Sequence, residues 1–204
     1  MKRAAGAGLN IDVLFESDNW QKAGSAKAAI QRALKRAAVT LSTKTGEVAI
    51  VLTDDAAMRT LNRNWRGVDA ATNVLAFPAR KVAPPIGVCR HSVNRGGELP
   101  RGNHLCKHLG DVVLAYETIE REARRGGKPF EHHLAHLVVH GFLHLLGYDH
   151  ANDAQARRME TTERTILRDL AVPDPYRTAR SGRHAGDEAA KRPRKGRARR
   201  AKNA

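Results

Sequence analysis

The sequence predicts a single α+β domain in which a small mixed β-sheet of about four strands packs against about five helices. A chain of 204 residues with 41% hydrophobic content can bury one ordinary core and scarcely two. Short segments with strand periodicity are mixed with helical segments, without a regular βαβ alternation. No apolar run reaches the roughly eighteen residues of a membrane span, so no membrane association is expected.

Four segments have the pattern of β-strands. Residues 9–15 (LNIDVLF) alternate apolar and polar side chains, and residues 46–52 (GEVAIVL) follow a similar pattern. The segment 72–77 (TNVLAF) is short and is ended by Pro78. Residues 110–115 (GDVVLA) are nearly all apolar, which predicts a strand in the interior of the sheet.

Five segments have helical periodicity. They run from about 18 to 39, from about 54 to 65, and over about 117–125, 130–146 and 152–170. Three of them begin at residues that commonly cap helices, namely Ser17 or Asp18, Thr53 or Asp54, and Asn152 or Asp153. Pro173-Asp174-Pro175 ends the predicted domain, which therefore spans residues 9–176.

The net charge of +15 is concentrated at the C-terminus. Residues 177–204 contain eleven Lys and Arg against two acidic residues, whereas residues 9–176 carry a net charge of only +4. Residues 1–8 and 177–204 are predicted to be disordered. The tail is either a solvated end or an arm for a polyanion such as RNA. No secretory signal is evident, and two cysteines are too few for a disulfide framework, so a cytoplasmic protein is expected.

The segment 79–108 is rich in Gly and Pro, and this composition predicts a long loop or insertion. Five side chains in it are potential metal ligands: Cys89, His91, His104, Cys106 and His108. Their spacing matches no standard zinc module. A flexible flap bordering the cleft is the preferred interpretation, with a second metal site as the alternative.

Three of the ten histidines are selected by helical geometry. His136, His140 and His144 follow one stripe of an apolar helix, but the outer two are roughly 12 Å apart along the axis and cannot share an ion. Gly147 ends the helix and lets the chain turn back, which brings His150 towards His140 and His144. Three His ligands with one open position are typical of a catalytic Zn²⁺. The alternative is a buried His-rich helix with ordinary hydrogen bonds, and His136 is expected to be a core or supporting residue.

The spacing H-x-x-x-H-x-x-G-x-x-H also occurs in metzincin proteases, where glutamate follows the first histidine and acts as general base. Gly141 occupies that position here. The missing carboxylate makes a metalloprotease the less favoured function.

The motif HGFLHLLGYDH (140–150) resembles the signature of the YbeY family of bacterial rRNA-processing endoribonucleases. The segments LNRNWRGVDAATNVLAF (61–77) and LGDVVLA (109–115) and the terminal Asp-Pro-Tyr at 174–176 are similar to other landmarks of that family. The resemblance covers residues 9–176. It implies a metal-dependent endoribonuclease that prefers single strands and acts in rRNA maturation and ribosome quality control, with rRNA and the ribosome or its proteins as partners.

The resemblance also assigns individual residues. It implies that His140, His144 and His150 hold one Zn²⁺, that His140 and Arg66 are catalytic, and that Arg66 steadies phosphate charge. Asp111 and Asp149 are candidates for orienting a ligand histidine, and a structural role at the start of its strand is the alternative for Asp111. Ala76 stands where the family usually has serine, so no hydroxyl is available there. The alternative function is a non-catalytic, RNA-binding assembly factor with a structural metal.

Overall fold

The computed structural model describes residues 8–43, 45–79 and 108–176. Most of the predicted loop, including Cys89, His91, His104 and Cys106, lies outside the described residues. The predicted disordered ends lie outside them too, apart from Gly8. The described residues up to Asp174 belong to one compact unit, and Pro175 and Tyr176 follow it in the chain. None of the helices in the described ranges has the length and apolarity that a membrane crossing requires.

Four strands form one mixed sheet, as predicted: β1 (Leu9–Phe15), β2 (Gly46–Thr53), β3 (Val74–Pro78) and β4 (His108–Ala115). Their order is β1-β2-β4-β3. β1, β2 and β4 run parallel, and β3 pairs antiparallel with β4. The predicted interior position of the apolar strand is confirmed, because β4 is hydrogen-bonded on both edges.

Five α-helices accompany the sheet: α1 (Ala26–Thr40), α2 (Asp55–Arg66), α3 (Tyr116–Arg125), α4 (Phe130–Leu145) and α5 (Asp153–Asp169). The α+β fold is therefore confirmed. Asp54 and Asn152 cap α2 and α5 by accepting hydrogen bonds from the backbone amides of Ala57 and Gln155.

The prediction of one continuous helix from Ser17 or Asp18 to Val39 is wrong. A 3₁₀ helix over Asp18–Lys22 precedes α1, and the two are separated by three residues that include Gly24. Trp20 explains the break, because its fully buried indole donates a hydrogen bond to the carbonyl oxygen of Thr53 at 2.8 Å. This distant contact fixes the first turn in a position that a straight helix does not reach.

α4 is the central helix of the core. It contacts α1, α3, α5 and the sheet, and its buried side chains include Leu134, Val138, Phe142 and Leu143. Full burial of each such side chain stabilises the fold by about 1.5–3 kcal/mol. α4 is therefore a rigid support for the polar side chains that it carries.

Two glycines allow close approach beside β3. A Cβ on Gly141 of α4 would lie 2.7 Å from Val112 Cγ1 and 3.3 Å from Val74 Cγ2. Gly110 has φ of +130° within the bulge that starts β4, and a Cβ there would lie 2.2 Å from the Phe77 carbonyl oxygen. Both positions therefore require glycine. Gly141 lets the C-terminal half of α4 lie directly against β3 and β4, and Gly110 lets the start of β4 approach the backbone of β3.

Candidate metal centre and cleft

The end of α4 turns the chain back towards its own histidines. Gly147 adopts φ of +87°, its amide donates to the His144 carbonyl, and the Tyr148 amide donates to the Leu143 carbonyl, each at 3.0 Å. These two bonds form a Schellman motif, which requires a left-handed residue at this position. The predicted helix break at Gly147 is thus confirmed, and His150 follows three residues later.

The turn gathers His140, His144 and His150 into one group. One ring nitrogen of each lies within 4.8 Å of the others, and the Nε2 atoms of His140 and His144 are 3.1 Å apart. In a tetrahedral site with Zn–N bonds of about 2.0–2.1 Å, ligand nitrogens lie about 3.3 Å apart. The donor set and its spacing therefore fit a zinc ion without a change of fold.

The environment of His144 favours its neutral imidazole, the form that binds metals. Burial lowers the pKa of His144, and the neighbouring His140 and His150 lower it further. His140 and His144 are half-buried, whereas His150 is exposed. The group is accordingly supported by the core on one side and open to solvent on the other.

Glu163 orients His140, a role that the sequence interpretation did not identify. The Glu163 side chain is fully buried on α5, and its Oε1 lies 2.8 Å from His140 Nδ1. Since a carboxylate accepts hydrogen bonds, Nδ1–H donates and the lone pair of Nε2 faces His144. One signal was available: Glu163 interrupts the otherwise apolar buried stripe formed by Met159, Ile166 and Leu167.

The carboxylates expected in this role have other partners in the described residues. Asp149 accepts a hydrogen bond from the backbone amide of His150 at 2.8 Å, so it shapes the turn. Asp111 lies 3.4 Å from His108 Nε2. Neither pairing is with an imidazole of the three-histidine group, whereas Glu163 contacts the ring of His140 directly.

His136 lies outside the three-histidine group. Burial lowers its pKa to about 4, and its Nε2 is 4.0 Å from Glu163 Oε1. With His140 and Glu163 it forms a second group of potential donors in the interior. This agrees with its interpretation as a core or supporting residue.

Arg66 and the three histidines line one cleft of about 700 Å³. The cleft is also lined by residues 72–78, including Ala76, and by the turn at 147–149. Arg66 is the last residue of α2 and is exposed, and no carboxylate among the described residues forms an ion pair with it. The cleft thus combines a metal-binding donor set with a guanidinium group suited to an anion.

Comparison with known proteins finds relatives that match most of the chain. Residues 14–171 match the protein family described as "Endoribonuclease YbeY". Two relatives named "Endoribonuclease YbeY" come from Rhodopseudomonas palustris and Bradyrhizobium diazoefficiens. The first is 48% identical over 81% of this chain and 90% of its own length, and the second 49% over 85% and 87%.

A solution structure of a Thermotoga maritima protein is 22% identical and has a TM-score of 0.48, covering 89% of this chain and 99% of that one. The extent and identity of the sequence matches decide the assignment: the chain belongs to the YbeY family of endoribonucleases.

Proposed function

We propose that this protein is a zinc-dependent endoribonuclease that cleaves single-stranded regions of ribosomal RNA during maturation and quality control of the ribosome. The observation that carries the proposal is the convergence of three imidazoles in an open cleft that Arg66 also lines. The names of the relatives supply the reaction class.

His140, His144 and His150 would hold the ion through their ring nitrogens. A bound Zn²⁺ would supply Lewis acidity towards water and the phosphodiester. Glu163 fixes the His140 tautomer, so that the free lone pair of Nε2 points to the shared position. The open side of the group, at His150, leaves access for a substrate.

Arg66 would bind the non-bridging oxygens of the scissile phosphate. A guanidinium presents two parallel N–H donors to phosphate and retains its charge at every physiological pH. Charge that builds up on the phosphate oxygens during cleavage would strengthen these bonds, which is how such a residue accelerates a reaction. Ala76 supplies no hydroxyl to the cleft, and Arg66 is the charged donor proposed for the phosphate.

The proposed partners are rRNA and the ribosome or its proteins, and the proposed location is the cytoplasm. The positive charge of residues 9–176 and the larger charge of 177–204 favour a polyanionic substrate.

The observations are less favourable to the two alternative functions, an assembly factor with a structural metal and a metalloprotease. A purely structural metal site would be closed by a fourth protein ligand, whereas this group opens into the cleft.

A metalloprotease would need a general base beside the first ligand. Gly141 occupies that place and packs against Val112, with no room for a glutamate side chain.

The proposal is tested by incubating the full-length protein with single-stranded and duplex rRNA fragments and Zn²⁺, Mg²⁺ or Mn²⁺. We expect cleavage of single strands, loss of that activity in His140→Ala, and a decrease of about 10²–10³-fold in Arg66→Ala with its metal content unchanged. Arg63→Ala is the matched control, because Arg63 is exposed on the same helix but does not line the cleft. Intact single-stranded RNA under all metals, or equal activity in wild type and His140→Ala, would contradict the proposal.

A further inference from the structure

Trp65 is an unusually exposed aromatic residue. Its side chain is 70% accessible, whereas Trp20, the other tryptophan of the chain, is fully buried. Exposure of an indole forgoes much of the free energy that its burial would contribute. Its location is specific, because Trp65 directly precedes Arg66 and lines the same cleft as the three histidines.

Phe77 holds Trp65 in a defined place. The two rings form an edge-to-face pair with centroids 5.6 Å apart and an interplanar angle of 64°. Phe77 itself packs against a buried cluster that includes Met58, Leu75 and Val113. Trp65 is therefore supported by a residue anchored in the core, while most of its indole remains accessible to a ligand.

We propose that Trp65 is a stacking platform for an unpaired nucleobase of RNA, next to the phosphate at Arg66. This inference rests on the proposed function and deepens it. A flat aromatic face accepts any base, and such stacking contributes about 1–3 kcal/mol per base. Bases within a duplex have both faces covered by neighbouring pairs, so this platform would favour single strands. Trp65 and Arg66 are adjacent and line the same cleft. An aromatic ring beside a cation suits the base and phosphate of a nucleotide better than an apolar protein segment.

Binding measurements on the full-length His140→Ala protein separate recognition from cleavage. Replacing Trp65 with Ala in this background should weaken binding of a single-stranded oligoribonucleotide about 5- to 150-fold, the range that corresponds to loss of one stacked base. Trp65→Phe should restore most of the affinity. Phe15→Ala is the matched control, since Phe15 is 51% exposed but is not among the cleft residues, and it should leave affinity unchanged.

Fluorescence gives an independent readout. With only two tryptophans, one of them fully buried, stacking on Trp65 should quench the emission when single-stranded RNA is added. The Trp65→Phe protein should lose this quenching while it retains affinity. The salt dependence of binding should be unchanged in Trp65→Ala, because no phosphate contact is removed, whereas Arg66→Ala should reduce it.

Three results would overturn the inference: unchanged single-strand affinity in Trp65→Ala, an equal loss of affinity for duplex RNA, or quenching by a protein partner but not by RNA. Failure of the proposed function is distinguishable from these results. In that case wild-type protein would not cleave RNA with any metal, although the Trp65-dependent affinity for single strands would still be measured.

Discussion

The two halves of α4 present the same residue type in different environments. In the N-terminal half, His133 lies 2.8 Å from Glu122, and the half-buried His136 lies 4.0 Å from Glu163. In the C-terminal half, the rings of His140 and His144 face each other and are joined by His150 beyond the helix. In the first half, His133 and His136 face carboxylates, of which only Glu163 is fully buried, whereas the second half opens into the cleft.

This difference shows that histidines at similar spacing on one helix differ in their partners and in their exposure. Successive members of the stripe on α4 are similarly spaced, and the Nε2 atoms of His140 and His144 lie 3.1 Å apart. His140 belongs to both environments, because its Nδ1 contacts Glu163 while its Nε2 lies beside His144. It connects the carboxylate network of the core to the candidate metal centre.

The largest expected effect is on zinc content and ribonuclease activity, and it should differ between variants in the two halves of α4. His144→Ala removes one of three proposed ligands, so we expect loss of stoichiometric zinc and of ribonuclease activity. His133→Gln keeps a hydrogen-bond donor towards Glu122 and should retain both. Zinc analysis by plasma mass spectrometry after dialysis, together with the cleavage assay, checks this. Retention of zinc in His144→Ala, or its loss in a folded His133→Gln protein, would invalidate the distinction.

An intermediate effect, on zinc affinity, is expected at the contact between Glu163 and His140, where the two halves of α4 meet. Glu163→Gln can no longer act as a carboxylate acceptor for His140 Nδ1, so zinc affinity should fall about 10- to 100-fold. Competition with a chromophoric chelator measures the affinity, and circular dichroism checks the fold. Glu160→Gln is the control, since Glu160 pairs with Arg164 at the surface of the same helix. Equal zinc affinities in the two variants would remove Glu163 from the metal centre.

The smallest effect concerns acid stability in the N-terminal half. Burial alone would raise the pKa of Glu122, but hydrogen bonds from His133 and Asn73 outweigh it and hold the pKa below its usual 4.5. A lowered carboxyl pKa stabilises the fold above pH 4.5, and this contribution is lost as pH falls through the folded-state pKa. Glu122→Gln should lower the urea midpoint at pH 7, with a difference that shrinks towards pH 3. A difference that grows on acidification would contradict this sign.

Much of the fold followed from local patterns. The four strands, the caps Asp54 and Asn152, and the interior position of β4 were predicted because alternation, capping and continuous apolar runs are short-range properties. The membership of the YbeY family was also predicted and is confirmed. The first helix was predicted wrongly, because the buried indole of Trp20 is held by Thr53, 33 residues away in the chain.

The sequence by itself determined the three-histidine group. The group depends on local geometry: one helical turn separates His140 from His144, and the left-handed Gly147 turns the chain so that His150 follows three residues later. The spacing of the three histidines was therefore sufficient to predict that they lie together. Only the tertiary structure showed that Glu163 supports His140, that Arg66 and Trp65 share the cleft, and that Gly141 is required for packing. Those features depend on how α5, α2 and the sheet dock on α4. Docking is decided by the shape of the whole core, which no local pattern specifies.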